Sequence, residues 1–409
     1  MQKPELLAPA GSLEKLKVAV MYGADAIYVG GLKYGLRTGA QNFTLDELTE
    51  GINFAHERRK KVYLTLNIIP HNDDLEGLPG YVKQLKGLLL DGIIISDPGI
   101  MSIVKDIIPE MEIHLSTQTS TTSYAAVNFW YQQGIRRIIL ARELSLMEIK
   151  EIIEKVPGDM KIETFVHGAM CISYSGRCLL SNYMAGRDAN RGSCAHPCRW
   201  KYYLVEEKRP GEYFPVIEDE RGAYFFNSKD LCMIEHIPSL IDAGISAFKI
   251  EGRMKSAYYV ANIVKAYRHV IDSYLSNPEG YHFDEKWLSE IKKTSNRCFT
   301  YGFYLNHPDG DEQRYDSSAY IKTYDFIGII HHYDKNTEIA TMEQKNRVFK
   351  GDEIEVFGPD GDFFSQKIIK MWNEEGEEIE VAPHAQQFVR IKMEKPVKPW
   401  YIIRKSNTN

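Results

Sequence analysis

Five of the six cysteines, Cys171, Cys178, Cys194, Cys198 and Cys232, fall between positions 171 and 232 of a 409-residue chain. Their spacing is C-x6-C-x15-C-x3-C-x33-C, which matches neither the paired C-x2-C of common zinc modules nor the compact ferredoxin run. The amino terminus carries charges among its first apolar residues and no sustained apolar stretch, so the expectation is a cytosolic chain without a secretory signal. Thiols stay reduced there, and clustered cysteines then point to a metal centre rather than disulfides. Four thiolates complete one such centre, so one of the five is spare. The expected set is Cys171, Cys178, Cys194 and Cys232, with Cys198 the alternative to Cys194 or Cys232. Cys298 stands apart and reads as a small buried hydrophobe.

A second set of polar residues ends a series of apolar runs: Asn67, Asp97, Ser116, Gln118, Arg142, Glu143, His167, Lys249, Glu251 and Arg253. Grouping this many ionisable side chains requires pairing or a charged ligand. Arg142, Lys249 and Arg253, with Asn67 and Gln118, suit an anionic ligand such as a carboxylate or phosphate. Glu143, His167 and Glu251 are the acid–base candidates. His167 lies four residues before Cys171, and its other reading is a hydrogen-bonded core histidine. Around the cysteines, Arg177, Arg187, Arg191, Arg199 and Lys201 face only Asp188 in sequence, with Tyr174, Tyr183, Trp200, Tyr202 and Tyr203 interleaved. Local positive charge with stacking rings suits a single-stranded nucleic-acid loop, and fits a protein interface as well.

These residues need a scaffold. Composition is that of an ordinary globular chain, 44% hydrophobic and 26% charged, without an apolar run long enough for a membrane span. The net charge of −6 gives no global pull toward nucleic acid. Eight short runs, beginning LLAPAG, AIYVGG, KVYLTLN, GIIISD, IHLSTQ, RRIILAR, KIETFVHG and AFKIEG, alternate with helical patterns. Most are near-continuous in Val, Ile and Leu, as strands buried on both faces should be. The expected fold is α/β: a (β/α)8 TIM-like barrel over residues 1–305, with a cysteine-rich insertion after strand 7 at about 169–232. A doubly wound open sheet is the alternative. In a barrel, all the strand-end residues above share one mouth. After the polar stretch HPDGDEQRYD, residues 315–409 alternate in strand fashion and read as a small all-β barrel or sandwich.

ELLAPAG, GADAIYVGG, HLSTQTS, LARELSL, ETFVHGAMCISYSGRCLLS, NRGSCAHPCRWKY and FKIEGRMKS together resemble the peptidase U32, or collagenase-like, family. The resemblance is to its branch in tRNA wobble-uridine 5-hydroxylation. It implies iron–sulfur proteins that supply a hydroxyl without molecular oxygen, with prephenate as oxygen source, the tRNA anticodon loop as substrate and a paralogous U32 chain as possible partner. Relatives act on 23S rRNA cytidine or ubiquinone precursors. The [4Fe–4S] pattern of the ubiquinone branch, carried onto this chain, falls on Cys171, Cys178, Cys194 and Cys232; zinc is the alternative metal. No H-E-x-x-H, G-x-S-x-G or cysteine–histidine protease signature occurs. A U32-type peptidase and a zinc-stabilised RNA-binding module are the other readings.

Overall fold

The computed structural model describes residues 3–407 apart from 38, 172, 175–176, 200–203, 206–212, 215–217, 220–221, 224–228, 295, 306–320 and 362. Eight parallel strands close into a barrel: Glu5–Pro9, Ala26–Gly30, Lys61–Leu66, Gly92–Ile95, Ile113–Leu115, Arg137–Ile139, Lys161–Ala169 and Ala247–Ile250. Closure is direct. Ala247 pairs with Glu5 of the first strand and with Glu163 of the seventh, which excludes the open doubly wound sheet. Ala26–Gly30 and Gly92–Ile95 are buried along their whole length, because helices cover one face and the barrel interior fills the other.

Side-chain caps set where the surrounding helices begin. Ser12 caps Leu13–Met21, Ser256 caps Ala257–Ser276, and Thr44 with Glu47 and Ser145 with Glu148 form reciprocal capping boxes. The long helix Ala257–Ser276 buries both tyrosines of its first turn, Tyr258 and Tyr259.

The barrel floor is charged but balanced. Arg137 bridges Glu5 and Glu163 at 2.6 Å each, Tyr63 donates its hydroxyl hydrogen to Glu5, and Lys249 pairs with Glu163 at 3.0 Å. Two cations thus meet two carboxylates, which is the condition under which buried charge is tolerated. Burial pushes the Glu163 carboxyl up, but Lys249, Arg137 and His114 outweigh it and hold the group down at about 2.

The connection after the seventh strand carries the cysteines and returns as a strand absent from the sequence reading, Asp230–Cys232. It runs antiparallel to the seventh strand and pairs on its other edge with Phe299–Thr300. A buried ion pair, Arg297 to Asp230 at 2.6 Å, fixes that corner.

Beyond the stretch HPDGDEQRYD, which lies outside the described residues, the chain forms a seven-stranded antiparallel sheet. Tyr324–Asp334 sits at its centre, between Ile339–Gln344 and Ile402–Ser406. This all-β domain packs along the barrel's first and last helices. The Tyr22 hydroxyl donates to Trp400 O at 2.9 Å, Lys345 pairs with Glu14 at 2.6 Å, and buried Arg404 bridges Glu355 and Glu290.

Candidate functional site at the barrel mouth

A cavity of about 160 Å³ opens at the carboxyl ends of the strands, where barrel enzymes place their chemistry. Its floor includes Lys249, held by Glu163 from below, with its ammonium 4.5 Å from the centre of the Tyr28 ring. Burial lowers the lysine's pKa, while Glu163 and Glu251 pull the other way.

Glu251 is the carboxylate of the mouth. It accepts a hydrogen bond from Tyr28 at 3.2 Å and pairs with Arg37 at 3.5 Å. Burial alone would raise its pKa, but Arg37, Arg142 and Arg253 hold it below the usual carboxylate range. The carboxylate is therefore ionised, and among the described lining residues Arg37, Arg142, Lys249 and Arg253 outnumber it. A small anion fits this balance.

Arg253 plays a more structural part than its sequence position suggests. Its guanidinium donates to Leu36 O at 2.8 Å, to Thr65 Oγ1 at 3.2 Å and to Asn42, pinning the loop that carries Arg37. Gly30 faces this group, and any Cβ there would run into the guanidinium. Arg142 is tied to Ala169 O at 2.9 Å, where the cysteine-bearing connection begins. Asn67 and Gln118 bond one another at 2.8 Å, and Gln118 O accepts from Arg177 Nε at 2.9 Å. Both thus line the cavity while bracing its wall.

Cys171, Cys178, Cys194 and Cys198 all line this cavity. Asn190 holds the cysteine loop in place: its side chain bonds Cys178 N and O, and its carbonyl accepts from Ile69 N of the barrel. Cys232 does not join them. It is 2% exposed, lines a separate pocket with Cys298, and has its thiol pushed up to about 12 by burial. Four thiols on one cavity suit a soft metal or iron–sulfur centre by donor chemistry. Among the described residues, however, no three His, Cys, Asp or Glu side chains are arranged to hold one metal ion. The donor types fit, and no closed coordination set is formed among the described residues.

Two acid–base candidates move away from the cavity. His167 is packed among Tyr259, Tyr267 and Phe299, with Nδ1 3.3 Å from the Tyr267 hydroxyl. Burial lowers its pKa to about 3, so it is a neutral core histidine, in line with the plainer reading of the sequence. The glycine after it, Gly168, has φ +110° and lies against the Glu251 backbone, where a Cβ would come within 2.5 Å of Glu251 O. Glu143 is half-buried and is not among the cavity residues.

The arginine-rich loop is also less free than its sequence implies. Arg191 pairs with Asp74 at 2.6 Å, and both it and Arg187 line a surface pocket with Asp73, Asp74 and Glu76. Those acidic residues come from the segment after the third strand, so local sequence counting missed them. Trp200, Lys201, Tyr202 and Tyr203, and the side chains of Tyr183 and Arg199, lie outside the described residues.

Sequence reasoning passed over Arg37, Tyr28 and His196, all on the cavity wall. Arg37 has φ +79° within a loop studded with glycines at 30, 31, 35 and 39, and an arginine in so irregular a loop at a barrel mouth was the available signal.

A family model for peptidase family U32 matches residues 11–314, and one for the peptidase family U32 C-terminal domain matches 322–404. The tRNA hydroxylation protein P1 of Bacillus subtilis is 46% identical, over 99% of this chain and 95% of its own. The tRNA hydroxylation protein P of Escherichia coli is 39% identical, over 94% and 92%. The 23S rRNA 5-hydroxycytidine C2501 synthase of Escherichia coli is 35% identical over 78% of this chain and 47% of its own.

Proposed function

The chain belongs to peptidase family U32, and from that membership we propose that it is an RNA-hydroxylating enzyme whose substrate is C5 of a wobble uridine in tRNA. Several relatives similar over nearly the full chain are named for tRNA hydroxylation, one of like extent from Methanocaldococcus jannaschii is named an uncharacterized protease, and a further relative is named for 5-hydroxycytidine synthesis on 23S rRNA. The observation that carries the reading is the cavity itself, where four cysteines meet a cluster of basic side chains around one ionised carboxylate.

In this reading a [4Fe–4S] cluster is held by Cys171, Cys178 and Cys194, with Cys198 or Cys232 as the fourth ligand and zinc as the alternative metal. Such a cluster, when bound, would supply one-electron chemistry. Arg37, Arg142 and Lys249 hold the carboxylates of an anionic co-substrate, prephenate, while Arg253 fixes the loop presenting Arg37. Glu251, ionised and oriented by the Tyr28 hydroxyl, would accept the proton leaving C5 as a hydroxyl oxygen from prephenate, the oxygen donor, replaces it and that donor takes up the two electrons.

The test is direct. Anaerobically purified protein is incubated with unmodified tRNA and prephenate, and the nucleosides are analysed by mass spectrometry. Formation of 5-hydroxyuridine supports the assignment, and its absence with a fully loaded protein contradicts it.

A further inference from the structure

Beside the main cavity lies a second cleft of about 550 Å³, and the two share Arg37, Ala169, His196 and Glu251 as lining. One wall is the start of the long helix, with Met254, Lys255, Tyr258 and Tyr259. The facing wall belongs to the C-terminal domain and contributes Lys322, Tyr324, Phe326 and Asn346. Glu251 is the one carboxylate among the described lining residues, against Arg37, Lys255 and Lys322.

The rings are ordered rather than scattered. Tyr258 and Phe326 stack across the domain boundary at 6.0 Å and 27°. Phe326 and Tyr324 are only partly buried and lie on the cleft wall. Lys255 stands 5.2 Å over the Tyr259 ring, and the Tyr259 hydroxyl donates to Glu251 O at 2.9 Å, which links this wall to the acid of the main cavity. Lys322 pairs with Asp325, but its side chain is 52% exposed, so the pair is weak and exchangeable.

We propose that this cleft seats a nucleotide of the RNA adjacent to the one being modified, its base against Phe326 and Tyr324 and its phosphate near Arg37 and Lys322. The inference rests on the RNA-hydroxylating reading and adds where the strand continues. A small anion would need the cations but not the rings, whereas a single-stranded nucleotide uses both. The chain is net negative, so an RNA must find its positive charge locally, and this cleft supplies some directly beside the reactive cavity. The C-terminal domain then completes the wall on which the neighbouring base stacks.

The experiment uses anaerobically purified full-length protein and an anticodon stem-loop RNA carrying 5-iodouridine next to the wobble position. Photocrosslinks are expected in peptides containing Tyr324 and Phe326 or Tyr258 and Tyr259, competed away by unlabelled RNA. In parallel, Phe326→Leu and Lys322→Ala should each raise the KM for tRNA by roughly tenfold, the scale of losing one stacked base or phosphate contact. The KM for the anionic co-substrate should hardly move. Lys398→Ala, which removes an exposed ion pair with Asp360, serves as the surface control. If tRNA is hydroxylated but both cleft variants keep the wild-type KM and crosslinks map elsewhere, the cleft assignment is overturned while the enzyme reading stands. If the wild-type protein neither binds nor hydroxylates RNA, both fall together.

Discussion

Lys249 Nζ lies 3.0 Å from Glu163 Oε1 inside the barrel, with side chains only 6% and 0% exposed. The pair joins the charged floor to the cavity at the barrel mouth. Removing the charge from Glu163 leaves Lys249 and Arg137 without their shared counter-ion. Glu163→Gln is therefore expected to destabilise the fold by about 3–5 kcal/mol, the usual cost of breaking a buried pair from one side. Chemical denaturation measures it; a loss under about 1 kcal/mol would mean the floor is well hydrated.

Acid should weaken the same region in two stages. The His167 pKa is depressed to about 3 from 6.5, so it stays neutral in the fold while the unfolded chain takes up a proton. Its contribution is whole above pH 6.5 and declines as pH falls toward about 3. Glu163, depressed to about 2 from 4.5, contributes fully above pH 4.5 and loses its share between there and about 2. Melting temperature followed across this range should fall from below pH 6.5 and more steeply below 4.5. His167→Phe should flatten the upper part of that fall, and an unchanged slope would remove His167 as its source.

The cysteines are tested one at a time. Serine variants at positions 171, 178 and 194 are expected to lose most of the iron and sulfide of anaerobically purified protein, along with its visible absorption. Only one of Cys198→Ser and Cys232→Ser should do the same, which identifies the fourth ligand. A colourless wild-type protein loaded with stoichiometric zinc would sink the cluster.

Arg37 faces both the cavity and the neighbouring cleft, with 39% of its side chain exposed. Arg37→Ala should weaken prephenate binding by roughly 10- to 100-fold, the worth of one charge-assisted hydrogen bond. Arg37→Lys should restore part of it. Calorimetric titration reads both, and equal affinity in all three forms would place the co-substrate elsewhere.

The family's name raises a further question, and gelatin answers it. Purified protein should leave gelatin intact. Hydrolysis that vanishes when the four cavity cysteines are replaced would instead support a cysteine-dependent peptidase.

Much of the barrel could be read in advance because its strands are buried on both faces and so are written as unbroken apolar runs. AIYVG and GIII carry that signal without ambiguity. The short strand DLC does not, since three residues beginning with an ion-paired aspartate have no such pattern. At the mouth, Lys249, Glu251, Arg142 and Asn67 were legible as polar ends of apolar strands. Arg37 sits on an irregular loop with no periodicity to mark it. His167 and Cys232 lie opposite each other on paired strands, apart from the main cavity, where their partners come from the helix carrying Tyr259 and Tyr267. The Arg191–Asp74 pair, 117 residues apart in sequence, was hidden by that separation.

The central claim is tested most directly in a strain that lacks this protein and any paralogue. Nucleoside mass spectrometry of its tRNA should show 5-hydroxyuridine missing, restored by the wild-type chain and not by Cys171→Ser. A 5-hydroxyuridine level unchanged by the deletion would contradict the account.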